Sequence, residues 1–277
     1  QRSPGPGPTP TDPSPPARPT APARRLGLFF CFCDNAAVNR TRIAAMKARL
    51  PRSVISFVHA VHEHGYECYL VGGAVRNLIL GHKPSDFDFA TDATPEQIMR
   101  AFRRVIPTGV QHGTVTVLHR GERFEVTTYR TESDYTDSRR PDRVDFVGDI
   151  HEDLRRRDFT MNAMAFDPDG GVFLDPHDGE ADLRRRIVRA IGDPTDRFAE
   201  DALRMLRAVR FATQLGFDVD EATLLAVEHG AERIRAVSAE RVRDELTKLI
   251  MSDRPSSGMR LLRDTSLLAR TVPELAE

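Results

Sequence analysis

Two aspartates one residue apart, Asp86 and Asp88 in "DFDFAT", follow closely on a glycine pair and an arginine, Gly72, Gly73 and Arg76 in "VGGAVRN". On a strand, residues i and i+2 point to the same face. The two carboxylates then lie side by side, with Phe87 turned inward between them. Like charges this close raise each other's proton affinity unless a cation neutralises them. Hard oxygen donors suit Mg²⁺, which takes one or two carboxylates and completes its shell with substrate phosphates. The glycines let backbone approach a phosphate closely, and Arg76 adds a charged fork. A phosphate is attracted by one half of this stretch and repelled by the other, so a metal ion is the object that joins them. A third carboxylate stands in "RFEVTTYR", where alternation puts Glu125, Thr127 and Tyr129 on one face. Glu125 has two readings: a metal ligand, or a solvated edge residue paired with Arg123 or Arg130.

The elements that must position these groups are read from periodicity. "MKARLPRSVISFVHAVHEHG" has apolar residues at helical spacing and ends at Gly65. "YECYLVGG" reads as a buried strand breaking into a glycine turn, and "DFDFAT" as a second strand. Thr94 as N-cap and Pro95 in the first turn start a helix through about Arg104. "GTVTVLHRGERFEVTTYR" reads as a hairpin turning near Gly121, and "HEDLRRRDFTMNAMAFD" begins helical. From Asp193 onward the pattern is almost continuously helical. The expectation is an α+β chain: a mixed-sheet half, then an all-helical half, with the boundary near 170–190. The segment 1–45 opens with a proline-rich run that cannot build a core, and it is expected to be disordered, with Met46 as the natural start.

Composition narrows the classes. The 277 residues are 40% hydrophobic and 29% charged with net charge −1, so any polyanion site must come from local arginine clusters. No Trp and 4 Tyr argue against a base-stacking platform. Three cysteines without paired spacing (Cys31, Cys33, Cys68) suit a reducing, cytoplasmic setting rather than zinc or a disulfide framework. No run is long enough to span a bilayer.

Taken together, "GGAVRN…DFDFATDATP", "RRDFTMNAMAFD" and "RFAEDALRMLRAVRFATQLGF" resemble, in order, the motifs of the class II tRNA nucleotidyltransferases (CCA-adding enzymes) and their relatives, the bacterial poly(A) polymerases. The resemblance runs from about Met46 to the end. It implies a nucleotidyltransferase (polymerase beta-like) head over 46–175, a helical neck over 176–250 and the start of a helical body over 251–277. On this reading the rest of the body and the tail that grip tRNA are missing. The implied activity is template-independent addition of C and A from CTP and ATP to the 3′ end of tRNA. Asp86 and Asp88 would hold two Mg²⁺ ions with Glu125 as third carboxylate, and no obligate protein partner is evident. The family usually has Asp after the motif arginine, where this chain has Asn77; a hydrogen bond survives there, a charge does not.

The resemblance also makes "EDALR" the base-reading motif. On one helix, Asp201 and Arg204 share a face. Cytosine and adenine each show an amino donor beside a ring-nitrogen acceptor. Asp201 can accept from the first and Arg204 donate to the second, whereas uracil and guanine show the reversed pattern and leave both groups unpaired. Without the resemblance, a Glu200–Arg204 salt bridge on a solvated helix face is the plainer reading. By the same carry-over Arg207 and Arg210 belong to the nucleotide's phosphates or sugar and Arg157 to the nucleotide site; Arg155 and Arg156 are either part of that site or solvated charge, and the run Arg184–Arg186 is surface or an RNA-backbone contact.

Three rivals remain. Poly(A) polymerases carry an arginine-rich segment where this chain has "PTGVQHGTVTVLHRGERF". CC-adding enzymes tend to lack the loop that is full length here as "YRTESDYTDSRRPDRVDF". A non-catalytic RNA-binding module would have no need of Asp86 and Asp88.

Overall fold

The computed structural model describes residues 36–133 and 143–275. Most of the segment expected to be disordered, and the middle of the loop after Arg130, therefore lie outside the described residues. The last part of that expectation is corrected: residues 36–45 are not structureless. Helix α1 spans Ala36–Ala48, and its Ile43 and Met46 pack on the core. Pro51 then divides the long helix expected from Met46, and α2 (Arg52–Glu63) follows, ending before Gly65 at φ +86°.

Strand β1 (Cys68–Val71) runs into α3 (Gly73–Ile79). Next come β2 (Asp88–Thr91) and α4 (Pro95–Ala101), which opens with the expected capping box between Thr94 and Gln97. The helix stops short of Arg104, and β3 (Val105–Gly109) forms instead. Pro107 hides this strand from a propensity reading, and it is tolerated because β3 is an edge. The hairpin of β4 (Thr114–His119) and β5 (Glu122–Thr128) turns at Arg120 and Gly121, both at positive φ. A separate ribbon pairs β6 (Arg130–Ser133) with β7 (Arg143–Phe146). Then come α5 (Ile150–Arg155), β8 (Ala165–Asp167) and β9 (Val172–Leu174). The main sheet has seven strands in the order β3-β4-β5-β2-β1-β8-β9, and it is mixed, because β2 and β5 run parallel while the other pairs are antiparallel.

The remainder is helical: α6 (Gly179–Arg185), α7 (Pro194–Glu200), α8 (Leu203–Leu215), α9 (Glu221–Gly230), α10 (Ala239–Ile250), α11 (Pro255–Asp264) and α12 (Leu267–Thr271). A two-residue parallel bridge, β10 (Ile187–Val188) with β11 (Asp218–Val219), is its exception to an all-helical half. No described helix is long and apolar enough to cross a membrane.

The alternation of β2 and β5 sends their side chains into two environments. Phe89 and Phe124 face the larger core, where Phe57 of α2 meets their rings at 4.9 and 5.0 Å. Each such fully buried ring contributes roughly 1.5–3 kcal/mol. On the opposite face Val71, Ala90 and Tyr129 pack under Ile150 and Leu154 of α5. That helix covers only one end of the face. At the other end Asp88 and Glu125 are left exposed.

Candidate active site

Asp88 and Glu125 are register partners on the adjacent parallel strands β2 and β5. The shared sheet face expected for Asp86 is corrected: β2 starts at Asp88, and Asp86 lies on the loop before it, where Ser85 Oγ donates to its Oδ2 at 3.0 Å. Phe87 is half-buried rather than fully inward. All three carboxylates nevertheless line one cleft of about 790 Å³, together with Lys83, Thr108, Thr116 and Arg123. Desolvation within the cleft raises the Asp88 carboxyl above its ordinary value; Arg157 pulls it back and Asp86 pushes it further up. Desolvation and then Asp88 raise Glu125 in the same way, against Arg130. The pair is thus short of positive charge.

The glycines stand where a phosphate would be met. Val71, the last residue of β1, pairs with Asp88, so the Gly72–Gly73 turn emerges beside the carboxylates. Gly72 takes φ +66°, and a Cβ there would come within 3.3 Å of Arg157 Nη1. A Cβ on Gly73 would lie 3.6 Å from Arg76 Nη2. Two guanidinium groups therefore flank the turn. Arg157 is held by Asp153 at 3.0 Å. Arg76 donates from Nη1 to Asn162 Oδ1 at 2.9 Å, and from Nε and Nη2 to Asn77 Oδ1 at 3.3 and 3.2 Å. Burial, with Arg210 and Arg207 nearby, lowers Arg76 to about 10, although Asp158 opposes the shift.

The base-reading pair departs from expectation. The helix is broken: α7 ends at Glu200, Asp201 is extended at φ −146°, ψ 104°, and α8 begins at Leu203. Asp201 and Arg204 therefore do not share a helix face. The carboxylate of Asp201 caps α8 instead, accepting from Leu203 N at 3.1 Å, and it pairs with Arg241 of α10 at 2.7 Å. Capping of this kind is what a short acidic side chain does ahead of a helix. Arg204 is turned inward, donating to the carbonyls of Arg197 and Arg156 at 3.0 and 3.1 Å and pairing with Glu200. Its Nε carries no hydrogen bond to the described residues.

Further along α8, Arg207 pairs with Asp158 at 2.6 Å and Arg210 with Glu245 of α10. The guanidinium carbons of Arg76, Arg207 and Arg210 lie 5.1, 5.3 and 3.9 Å from the centre of the Phe211 ring. Asp158 joins the two halves of the site: Oδ2 takes Arg207, while Oδ1 accepts from Asn162 Nδ2 at 3.1 Å, and Asn162 in turn holds Arg76. Sequence reasoning missed Asp153, Asp158, Asn162, Arg241 and Glu245. For Asp153 the available signal was its spacing of three and four residues from Arg156 and Arg157.

Comparison with known proteins gives the family of this fold. Residues 68–189 match the family model of the poly A polymerase head domain, and residues 216–277 match that of the probable RNA and SrmB-binding site of polymerase A. The CCA-adding enzyme of Levilactobacillus brevis is 50% identical over 210 residues, 76% of this chain and 53% of that protein. The chain belongs to the tRNA nucleotidyltransferase and poly(A) polymerase family. The CCA-adding enzyme of Geobacillus kaustophilus is 46% identical over 215 residues, 78% of this chain and 53% of that protein. The crystal structure of the Bacillus stearothermophilus CCA-adding enzyme in complex with CTP superimposes with a TM-score of 0.72 at 42% identity, covering 78% of this chain and 52% of that one. The chain spans about half the length of the curated relatives it matches.

Nucleotidyltransferases of this family generally use a divalent metal ion. Among the described residues no three His, Cys, Asp or Glu are grouped closely enough to hold a metal ion by themselves. Asp86, Asp88 and Glu125 give one cleft a set of carboxylate oxygens, the donor type that suits Mg²⁺ when substrate oxygens complete its shell.

Proposed function

We propose that the chain is the nucleotide-transferring part of a template-independent RNA nucleotidyltransferase, which adds C and A from CTP and ATP to the 3′ end of tRNA. The observation that carries this reading is the placement of Asp86, Asp88 and Glu125 in one cleft, beside a Gly72–Gly73 turn flanked by Arg76 and Arg157. In this reading residues 46–175 form the catalytic head, residues 176–250 the base-recognising neck, and residues 251–277 the start of a further helical body.

Asp86 and Asp88 would hold Mg²⁺, with Glu125 as the third carboxylate. Bound there, the metal supplies positive charge for the attacking 3′-hydroxyl and the departing pyrophosphate. The chain's own residues do the rest. The backbone at Gly72 and Gly73 approaches the triphosphate, and Arg76 and Arg157 offset its charge. Arg207 and Arg210 line the approach to the sugar and phosphates. Asp201, ahead of α8, offers a carboxylate to the amino group shared by cytosine and adenine, and Arg204 offers Nε to the neighbouring ring nitrogen.

The test is incorporation of labelled CMP and then AMP into a tRNA lacking its 3′ CCA, with Mg²⁺. Asp88→Ala is expected to lower incorporation by roughly a thousandfold, the scale of losing a metal-holding or charge-stabilising group. Retained activity in Asp88→Ala overturns the reading. Incorporation of AMP alone, in long runs, would identify a poly(A) polymerase instead.

A further inference from the structure

Arg156 and Arg157 are both held by one buried carboxylate. Asp153, in α5, has a side chain only 1% exposed. A carboxylate so buried is costly unless it is paired and hydrogen-bonded. Its Oδ1 accepts from Nε and Nη2 of Arg156 at 3.0 and 2.8 Å. Its Oδ2 accepts from Nε and Nη2 of Arg157 at 3.4 and 3.0 Å. One carboxylate therefore fixes two guanidinium groups in a single turn. Burial alone would raise this carboxyl, but the charges and hydrogen bonds of Arg157 and Arg156 outweigh it and hold it below its ordinary value.

The arrangement has consequences at the site. With Nε and Nη2 of Arg157 tied to Asp153, the remaining terminal nitrogen, Nη1, is the one that lies against Gly72. The same turn's backbone reaches the other end of the site, because the carbonyl of Arg156 accepts from Arg204 Nη2 at 3.1 Å.

We infer that Asp153 is a positioning residue, which holds the Arg157 guanidinium against the Gly72–Gly73 turn in the place a nucleoside triphosphate requires. The inference rests on the proposed nucleotidyltransferase reading of the cleft. A merely structural Asp153 would stabilise α5 without a specific effect on nucleotide.

A double-mutant cycle separates the two, with CTP affinity measured by calorimetry, KM and kcat for CMP incorporation measured separately, and folding checked by circular dichroism. Asp153→Asn is expected to weaken CTP binding about tenfold, the scale of one charge-assisted contact. KM should rise with it while kcat changes little. Arg157→Gln should do the same, and the double variant should be no weaker than Arg157→Gln alone. Asp153→Glu keeps the charge but moves it by a methylene, and it too should bind CTP more weakly. Should Asp153→Asn fail to fold, Asp153→Glu completes the same cycle. Additive losses, or wild-type CTP affinity in folded Asp153 variants, overturn the inference and leave the functional reading intact. A wild-type chain that binds no CTP overturns both.

Discussion

Asn77 accepts two hydrogen bonds from Arg76, which has no carboxylate in ion-pair range among the described residues, unlike Arg157, Arg204, Arg207 and Arg210. Asn77→Asp would set a carboxylate oxygen where the amide oxygen now lies 3.2 and 3.3 Å from that guanidinium. The added charge offsets Arg76 and repels a phosphate. Calorimetry with CTP should show affinity reduced about three- to tenfold, the scale of a partly screened neighbouring charge, while thermal stability holds or rises. Unchanged affinity would mean that the net charge at Arg76 has no part in binding. At this scale the chemistry-bearing residues were legible because Gly72, Gly73, Arg76, Asp86 and Asp88 crowd into a short span. Asp153 and Asp158 were not, since a single aspartate acquires its role only from burial and from the arginines the fold brings to it.

At the scale of elements, the Gly72 turn combines two constraints that a paired substitution separates. Gly65 and Gly72 both sit at positive φ, +86° and +66°. A Cβ at Gly65 meets nothing within 4 Å, whereas one at Gly72 meets Arg157 at 3.3 Å. Both Gly→Ala changes should cost about 1–3 kcal/mol in chemical denaturation from the positive-φ backbone alone. Only Gly72→Ala should also weaken CTP binding, because the methyl displaces Arg157. Equal effects on binding would show that the turn needs only its backbone shape. Helical periodicity placed α2, α8 and α10 in the right regions, but it ran through the breaks at Pro51 and Asp201. At Asp201 the cause is local: its side chain caps the next helix, and the residue turns extended to do so. The apolar pattern on either side continues across the break and conceals it.

For the whole molecule, Asp158 is the tie between the sheet half and the helical half, through Arg207 of α8 on one oxygen and Asn162 on the other. Burial would raise its pKa, but Arg207 and the hydrogen bonds prevail, and the carboxyl is lowered to about 2. A group whose folded pKa lies below its unfolded value stabilises the fold above the unfolded pKa, near 4, and loses that contribution as pH falls through the folded one. Urea unfolding of wild type and Asp158→Asn should therefore differ by an amount that shrinks by about 2 kcal/mol between pH ~4.5 and ~2. A pH-independent difference would remove the charge pair from the stability of this junction. Elsewhere a steric seam can be probed: a Cβ at Gly179 would come within 2.2 Å of the Thr160 carbonyl, so Gly179→Ala should lower the melting temperature by several degrees.

The sequence by itself determined the residue types proposed for phosphate and cation chemistry, the strand and turn that present Gly72 and Gly73, the hairpin carrying Glu125 and the α/β-then-helical order. Those features are local: side-chain alternation, cap chemistry and glycine freedom act over a few residues. Tertiary structure decided which face of the sheet α5 leaves uncovered, and hence that Asp88 and Glu125 meet in an open cleft. It also decided that Arg204 turns inward while Asp201 breaks its helix. Those outcomes depend on which buried carboxylates and carbonyls the folded chain sets opposite each arginine, and no spacing along the chain records that choice.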